Sequence, residues 1–132
     1  MNFLVDTNIC SAYLKGDRTV WSRFMQYSGG LAISVITAGE LWTWVSRSSS
    51  SSRSRKSVSD FIDVMDVVEI DLAVALRFGT LRAEMLDTGR PLPDMDALIA
   101  ATALQANLTL VTHNVADFQA IPDLRIEDWL LP

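Results

Sequence analysis

Cysteine is nearly absent from this chain. One residue of that type in 132 leaves no internal disulfide and no cysteine-based zinc cluster, and Cys10 is expected as a small buried hydrophobe. Histidine is equally scarce. His113 stands alone, without the nucleophile pattern that a general-base triad would need. No apolar run is long enough to span a bilayer. Phe3-Leu4-Val5 is apolar, but Asp6 follows at once, with neither a basic leader nor a long hydrophobic stretch. A signal peptide is therefore not expected, nor any membrane association, and the cytoplasm is the expected location. Positive charge is also in deficit: 11 Lys and Arg against 16 Asp and Glu give a net charge of −5, the reverse of the usual nucleic-acid-binding footprint. Two features offset that deficit. Arg47, Arg53, Arg55 and Lys56 fall close together, and carboxylates that hold a cation count as negative only until it binds.

What remains describes a folded chain, 49% hydrophobic and 20% charged, of a length that suits one core. We expect a single domain over residues 1–132. Short apolar runs alternate with helical patterns. Strands are expected at Asn2–Val5, Leu31–Ile33, Val67–Ile70 and Leu108–Val111, with a weak one at Arg125–Glu127. Helices are expected between them, among them one from Val35 through Val45, one from Val58 to Met65, one capped by Asp71 and running to Leu86, and one from Asp94 to Ala106. Alternation of this kind implies a parallel sheet with helices on both faces. Residues 46–57 hold five consecutive serines and a basic run. They read as a Ser/Arg-rich mobile connector or a frayed helix end within the domain, because they offer little apolar area to offset the entropy of ordering.

Ligands of such sheets bind beyond the carboxyl ends of the strands, and polar residues of four separate stretches fall where they can meet there. Asp6 ends the first strand, where it can either cap the next helix or serve a site. Glu40 also has two readings. Thr37-Ala38-Gly39-Glu40 has capping-box spacing, whereas a helix that starts at Ser34 puts Glu40 nearly two turns inside. Asp94 follows Pro93 and reads as a helix cap. Asp96 then lies in the first turn, away from a core stripe of Met95, Leu98, Ile99, Thr102, Ala103 and Ala106. Asn114 and Asp117 follow the fourth strand. Carboxylates gathered from separate elements repel one another, and a hard divalent cation is the usual remedy. A magnesium or manganese site, and metal-dependent phosphodiester chemistry, is the first expectation. A phosphoacceptor domain would need a second acid beside Asp6 and a lysine after the last strand, and a dehalogenase-like phosphatase an aspartate at position 8, where Asn8 stands.

Val5-Asp6-Thr7-Asn8, Ser34 to Leu41, Asp96 to Ala103, and Leu110 to Asn114 with Asp117-Phe118 occur in an order that resembles the PIN domain, most closely the toxin ribonucleases of VapBC-type toxin–antitoxin pairs. The resemblance covers nearly the whole chain. It implies a three-layer α/β/α sandwich around a short central parallel β-sheet. It implies a Mg2+- or Mn2+-dependent endoribonuclease whose acidic metal set is Asp6, Glu40 and Asp96. Asn114 falls at a position that varies in the family between acid and amide, and Asp117 is the other candidate for a fourth member. It further implies an RNA substrate, a homodimer and a cognate antitoxin that blocks activity. Tyr13, Trp42 and Trp44 are the surface on which a partner helix is expected. The alternative is a PIN-fold module that binds RNA or protein without cutting. The serine-basic insert is outside the family pattern.

Overall fold

A computed structural model of the chain describes residues 1–47 and 49–131. Ser48, inside the expected connector, lies outside the described residues. Five strands, β1 (Phe3–Val5), β2 (Leu31–Ser34), β3 (Asp66–Val68), β4 (Thr109–Val111) and β5 (Ile126–Glu127), form one sheet in the order β3-β2-β1-β4-β5. Every adjacent pair is parallel. Parallel neighbours need crossover connections, and these are supplied by α1 (Thr7–Leu14), α2 (Arg18–Gln26), α3 (Val35–Ser46), α4 (Ser52–Val64), α5 (Leu72–Asp87), α6 (Asp94–Ala106) and α7 (Val115–Phe118). None of the described helices is long and apolar enough to cross a membrane.

The central strands are buried on both sides, and the two-residue period of a strand sends alternate side chains to two cores. Phe3, Val5, Leu31 and Ile33 join Ile9, Phe24, Leu41, Val45, Phe61 and Trp129 on one face. Leu4, Ala32 and Leu110 join Leu81, Met85, Ile99, Ala100 and Phe118 on the other. Helices α1 to α4 thus cover one face and α5 to α7 the other, which gives the three-layer sandwich that the sequence implied.

Several local expectations are corrected. Helix α4 starts at Ser52, six residues before Val58. The Ser51 hydroxyl accepts the Ser54 N–H at 3.1 Å as a cap, and Val58 and Phe61 anchor the helix in the core. A fully polar first turn therefore needs no burial of its own. The third strand runs Asp66–Val68 and leaves the sheet before Ile70. Met95 and Ala106 are exposed, while Ala97, Ala100 and Ala101 are buried with Ile99, Thr102 and Ala103. Small side chains let α6 be enclosed by the sheet and α5 together, so its buried face is wider than a single stripe. Of the tryptophans, Trp42 and Trp44 both lie exposed, and the one buried is Trp129, at 1%. It sits against Phe3, Phe24 and Tyr27. Tyr13 is not a free surface either, because its ring stacks on Phe24 at 4.2 Å.

Truncating Trp129 should therefore cost stability where truncating Trp42 does not. Trp129→Ala is expected to destabilise by about 3–5 kcal/mol, as for other buried aromatic deletions, and Trp42→Ala by less than about 0.5 kcal/mol. Urea denaturation of the two variants checks this. Equal midpoints would contradict the assignment of Trp129 to the core.

Candidate active site

The strand order reverses at β1. From it the chain builds outward through β2 to β3 on one side and through β4 to β5 on the other. A crevice opens beyond the carboxyl ends of strands at such a switch point, and Asp6 is the first residue after β1. Its N–H continues the ladder to the Val111 carbonyl at 2.8 Å, so the sheet itself fixes its position. The side chain is 4% exposed. Oδ1 accepts the Thr7 N–H at 2.8 Å, and Oδ2 accepts the Thr112 hydroxyl at 2.8 Å. The two readings of Asp6 are not exclusive: it caps α1 and also stands at the carboxyl end of the central strand.

Glu40 arrives from the next crossover. Ser34 caps α3, its hydroxyl accepting the Ile36 N–H at 3.0 Å, so the capping-box alternative from Thr37 is excluded. Glu40 lies in the second turn of the helix. The Thr7 hydroxyl lies 2.6 Å from Glu40 Oε1 and 3.1 Å from Thr37 Oγ1. Its single proton goes to the carboxylate, so Thr37 donates to Thr7 in turn. Thr7 therefore bridges the start of α1 to the face of α3.

Asp96 stands in the first turn of α6, half buried. The expected cap at Asp94 is corrected: Pro93 occupies the cap position without a side-chain bond, and Asp94 is the first helical residue. Asp94 pairs with Arg82 at 3.0 Å on the surface and is not among the charges that act on Asp96, which keeps it structural. Asn114 precedes α7, but its side chain does not cap that helix. Its N–H donates to Thr112 Oγ1 at 3.1 Å. Asp117 is in the first turn of α7 and exposed. His113 is bound at Nδ1 to Asp128 Oδ2, 3.0 Å away.

Electrostatics tie these groups together. Burial raises the Asp6 carboxyl above its usual range, and the Glu40 charge adds to the rise. The bonds from Thr112 and Thr7 work against it. Burial also raises Asp96, and the charges of Asp6, Glu40 and Asp117 follow in that order. Asp6, Glu40, Asp96 and Asp117 thus share one electrostatic neighbourhood. Among the described residues, no three His, Cys, Asp or Glu side chains already stand as a set that could hold an ion. The acids are gathered but not closed on a centre. A cleft of about 360 Å3 lined by Arg77, Glu84 and Asp123 contains none of them.

Sequence reasoning missed Thr7, Thr37 and Thr112. Thr112 could have been found by pairing the strands: Leu4 lies beside Leu110 and Val5 beside Val111, so Asp6 must come level with residue 112.

A small doubly wound α/β fold with acids converging at its switch point has a recognisable counterpart among known proteins. The PIN domain family matches residues 3–124. The tRNA(fMet)-specific endonuclease VapC of Shigella flexneri is 35% identical over 130 residues, 98% of each chain. Ribonuclease VapC2 of Haemophilus influenzae is 30% identical over 131 residues, 98% of this chain and 99% of that one. Among solved structures, DNA-bound VapBC from Salmonella typhimurium is similar with a TM-score of 0.93 and 34% identity over 98% of both chains. VapBC2 from Rickettsia felis, bound to a promoter DNA fragment, is similar with a TM-score of 0.91 and 29% identity, over 98% of this chain and 99% of that one. The chain belongs to the PIN domain family, and these relatives within it are VapC proteins.

The raised carboxyls make a prediction with a definite sign. A folded pKa above the unfolded value means that the native chain holds protons more readily just above the ordinary value of 3.8. The cost of ionising Asp96 in the folded state is fully present above its raised pKa and vanishes as pH falls below 3.8. Asp96→Asn should therefore raise the Tm of metal-free protein at neutral pH. The advantage should shrink as the buffer approaches pH 3.8. Calorimetry across that range tests it, and an advantage that grows on acidification would contradict the electrostatic account.

Proposed function

We infer that this chain is an endoribonuclease toxin that hydrolyses RNA phosphodiester bonds at the Asp6 cluster, with Mg2+ or Mn2+, and that a cognate antitoxin holds it inactive. The observation that carries this reading is the convergence of Asp6, Glu40, Asp96 and Asp117 at the switch point of a PIN fold whose relatives are named as VapC ribonucleases. The donor chemistry fits a hard cation. All four groups offer carboxylate oxygens, and their mutual repulsion falls when positive charge binds among them.

Asp6, Glu40 and Asp96 would hold the metal, which when bound polarises the scissile phosphate and lowers the pKa of a coordinated water. Asp117 is the better candidate for a fourth member, since its charge reaches Asp96 whereas Asn114 offers only a neutral amide. The chain's own residues prepare this site. Thr112 and the Thr7 amide fix both oxygens of Asp6, and the Thr7 hydroxyl fixes Glu40. The amino ends of α1 and α6 favour the ionised forms of Asp6 and Asp96. Water, not a side chain, is the nucleophile. Cys10 is fully buried, and burial with the Asp6 charge pushes its thiol well up, so it offers no thiolate. A non-cleaving RNA- or protein-binding module is the reading that loses ground, because binding alone gives no reason to gather four acids.

A ribonuclease loose in the cytoplasm would damage its own cell, which is the physical case for an inhibitor. A guanidinium from the antitoxin would pair bidentately with these carboxylates in place of the cation. A second copy of the chain is the other expected partner. Leu72 and Leu76, one turn apart on α5, are exposed by 73% and 64% and offer it an apolar strip.

Asp6→Asn, Glu40→Gln and Asp96→Asn should each reduce RNA cleavage in Mg2+ or Mn2+ by more than the roughly 10–100-fold typical of losing a group that only orients a ligand. Thr7→Val should fall inside that range, about 10–100-fold. Single-turnover cleavage of labelled RNA gives the comparison, and wild-type rates in Asp96→Asn would remove that residue from the site. Added Mg2+ should raise the Tm of wild type and do so less for Asp96→Asn, since only a ligand bound to the native state stabilises it.

A further inference from the structure

We propose that the cleft around Trp44 is a nucleotide subsite of the enzyme: single-stranded RNA leaving the acid cluster stacks a base on Trp44 and sets neighbouring phosphates on Lys15, Arg47 and Arg53. The proposal rests on the ribonuclease reading above and extends it to residues outside the acid site. Helices α1 and α3 lie side by side. At one end Thr7 meets Glu40, and further along Lys15 Nζ lies 5.5 Å from the centre of the Trp44 ring. Trp44 stands four residues beyond Glu40, hence on the same face of α3 and about 6 Å along its axis. A strand of RNA anchored at the acids reaches Trp44 within a few nucleotides.

The surroundings of Trp44 suit that ligand. A cleft of about 450 Å3 is lined by Trp44, Arg47 and serines 49, 50, 51 and 54. A second of about 160 Å3 shares Trp44 and Ser54 and adds Leu14 and Arg53. Trp44 is 40% exposed. Among the described residues, none of Lys15, Arg47 and Arg53 has a carboxylate within salt-bridge distance, whereas Lys56 and Arg82 are paired with Asp60 and Asp94. Three free cations, hydroxyl donors and an aromatic face are the combination that binds single strands through phosphates and stacking. The chain also needs such a patch. Its net charge is −5, and its candidate site is a group of acids, so a polyanion is repelled until local positive charge holds it. The cation–π contact between Lys15 and Trp44 is the weaker interaction and gives way to base stacking, which frees the ammonium for phosphate. An apolar partner helix fits less well, because the lining is mostly hydroxyl and guanidinium.

The test uses the full chain and fluorescent single-stranded RNA in chelator, with anisotropy read against salt. Arg47→Ala/Arg53→Ala should weaken binding at least tenfold and reduce the salt slope by about 1.4, at about 0.7 for each lost phosphate contact. Arg47→Lys/Arg53→Lys should keep the slope. RNA should quench wild-type tryptophan fluorescence more than that of Trp44→Phe, and the quench should shrink when the RNA is trimmed on the side that reaches the cleft. In cleavage assays with Mg2+ or Mn2+, the alanine pair should raise KM far more than it lowers kcat. Matching melting curves establish that the variants are folded. Unchanged affinity and slope in the alanine pair, while wild type cuts RNA, overturn the subsite and leave the ribonuclease reading intact. Wild type that binds RNA but never cuts it overturns that reading, and the salt slope then decides the subsite alone. A pair that binds RNA normally but escapes the antitoxin assigns the surface to the protein partner and overturns the proposal.

Discussion

Asp6 is an anion held where water barely reaches it, at the end of the central strand of a sheet with apolar cores on both faces. Burial alone works against its charge, and a neighbouring carboxylate adds to the cost. What keeps the arrangement in place is a small set of donors. The Thr7 amide and the Thr112 hydroxyl each take one oxygen, and the dipole of α1 favours the ionised form. These donors come from different elements, so the charge can be kept only if those elements are in register. A slip of one residue between β1 and β4 would move Thr112 away from Asp6 and send every core side chain of the strand to the opposite core. The polar site and the hydrophobic cores therefore enforce the same pairing.

The threonines extend that constraint outward. Thr7 links α1 to Glu40 on α3, and Thr112 takes the N–H of Asn114 as well as giving its proton to Asp6. The turn that leads to Asp117 is thus tied to the charge on Asp6. Glu40, Asp6 and the turn after β4 are held by hydroxyls, not by one another. This is how like charges can be gathered without direct contact. It also agrees with the absence, among the described residues, of any closed set of three potential ligands. The scaffold supplies aim, and under the proposed function the last convergence is left to the cation.

Much of this was legible in the sequence because it depended on local pattern. The alternation of short apolar runs with helical spacing foretold the sheet and its layers, and Asp71 was readable as a cap, which it is, to the Val74 N–H at 2.9 Å. Asp6 and Asp96 were readable from position, one after a strand and one in a first turn. What stayed illegible depended on partners distant in the chain. The two readings of Glu40 could not be separated until Ser34 was seen to make the cap bond. Nothing in the sequence singled out Thr112, and only the register with β1 sets it level with Asp6. Trp42 and Trp44 lie exposed, in keeping with the surface expected of them, whereas nothing local marked Trp129 as the tryptophan that fills the core beside Phe3 and Phe24. The start of α4 was misjudged because a serine-rich turn looks disordered by composition. A cap at Ser51 and anchors at Val58 and Phe61 suffice to order it.

The burial of α6 explains why Asp96 comes near the other acids at all. Ala97, Ala100, Ala101 and Ala103 have side chains small enough for the helix to lie tight against both the sheet and α5. Close approach brings the amino end of α6 over the carboxyl edge of the sheet, where Asp96 feels Asp6 and Glu40. Helix packing distance follows the size of the contact residues. Larger residues there would lift α6 outward and weaken that coupling before they touched any acid. The alanines therefore have a role that no acid motif expresses, since they set how near the third carboxylate stands to the first.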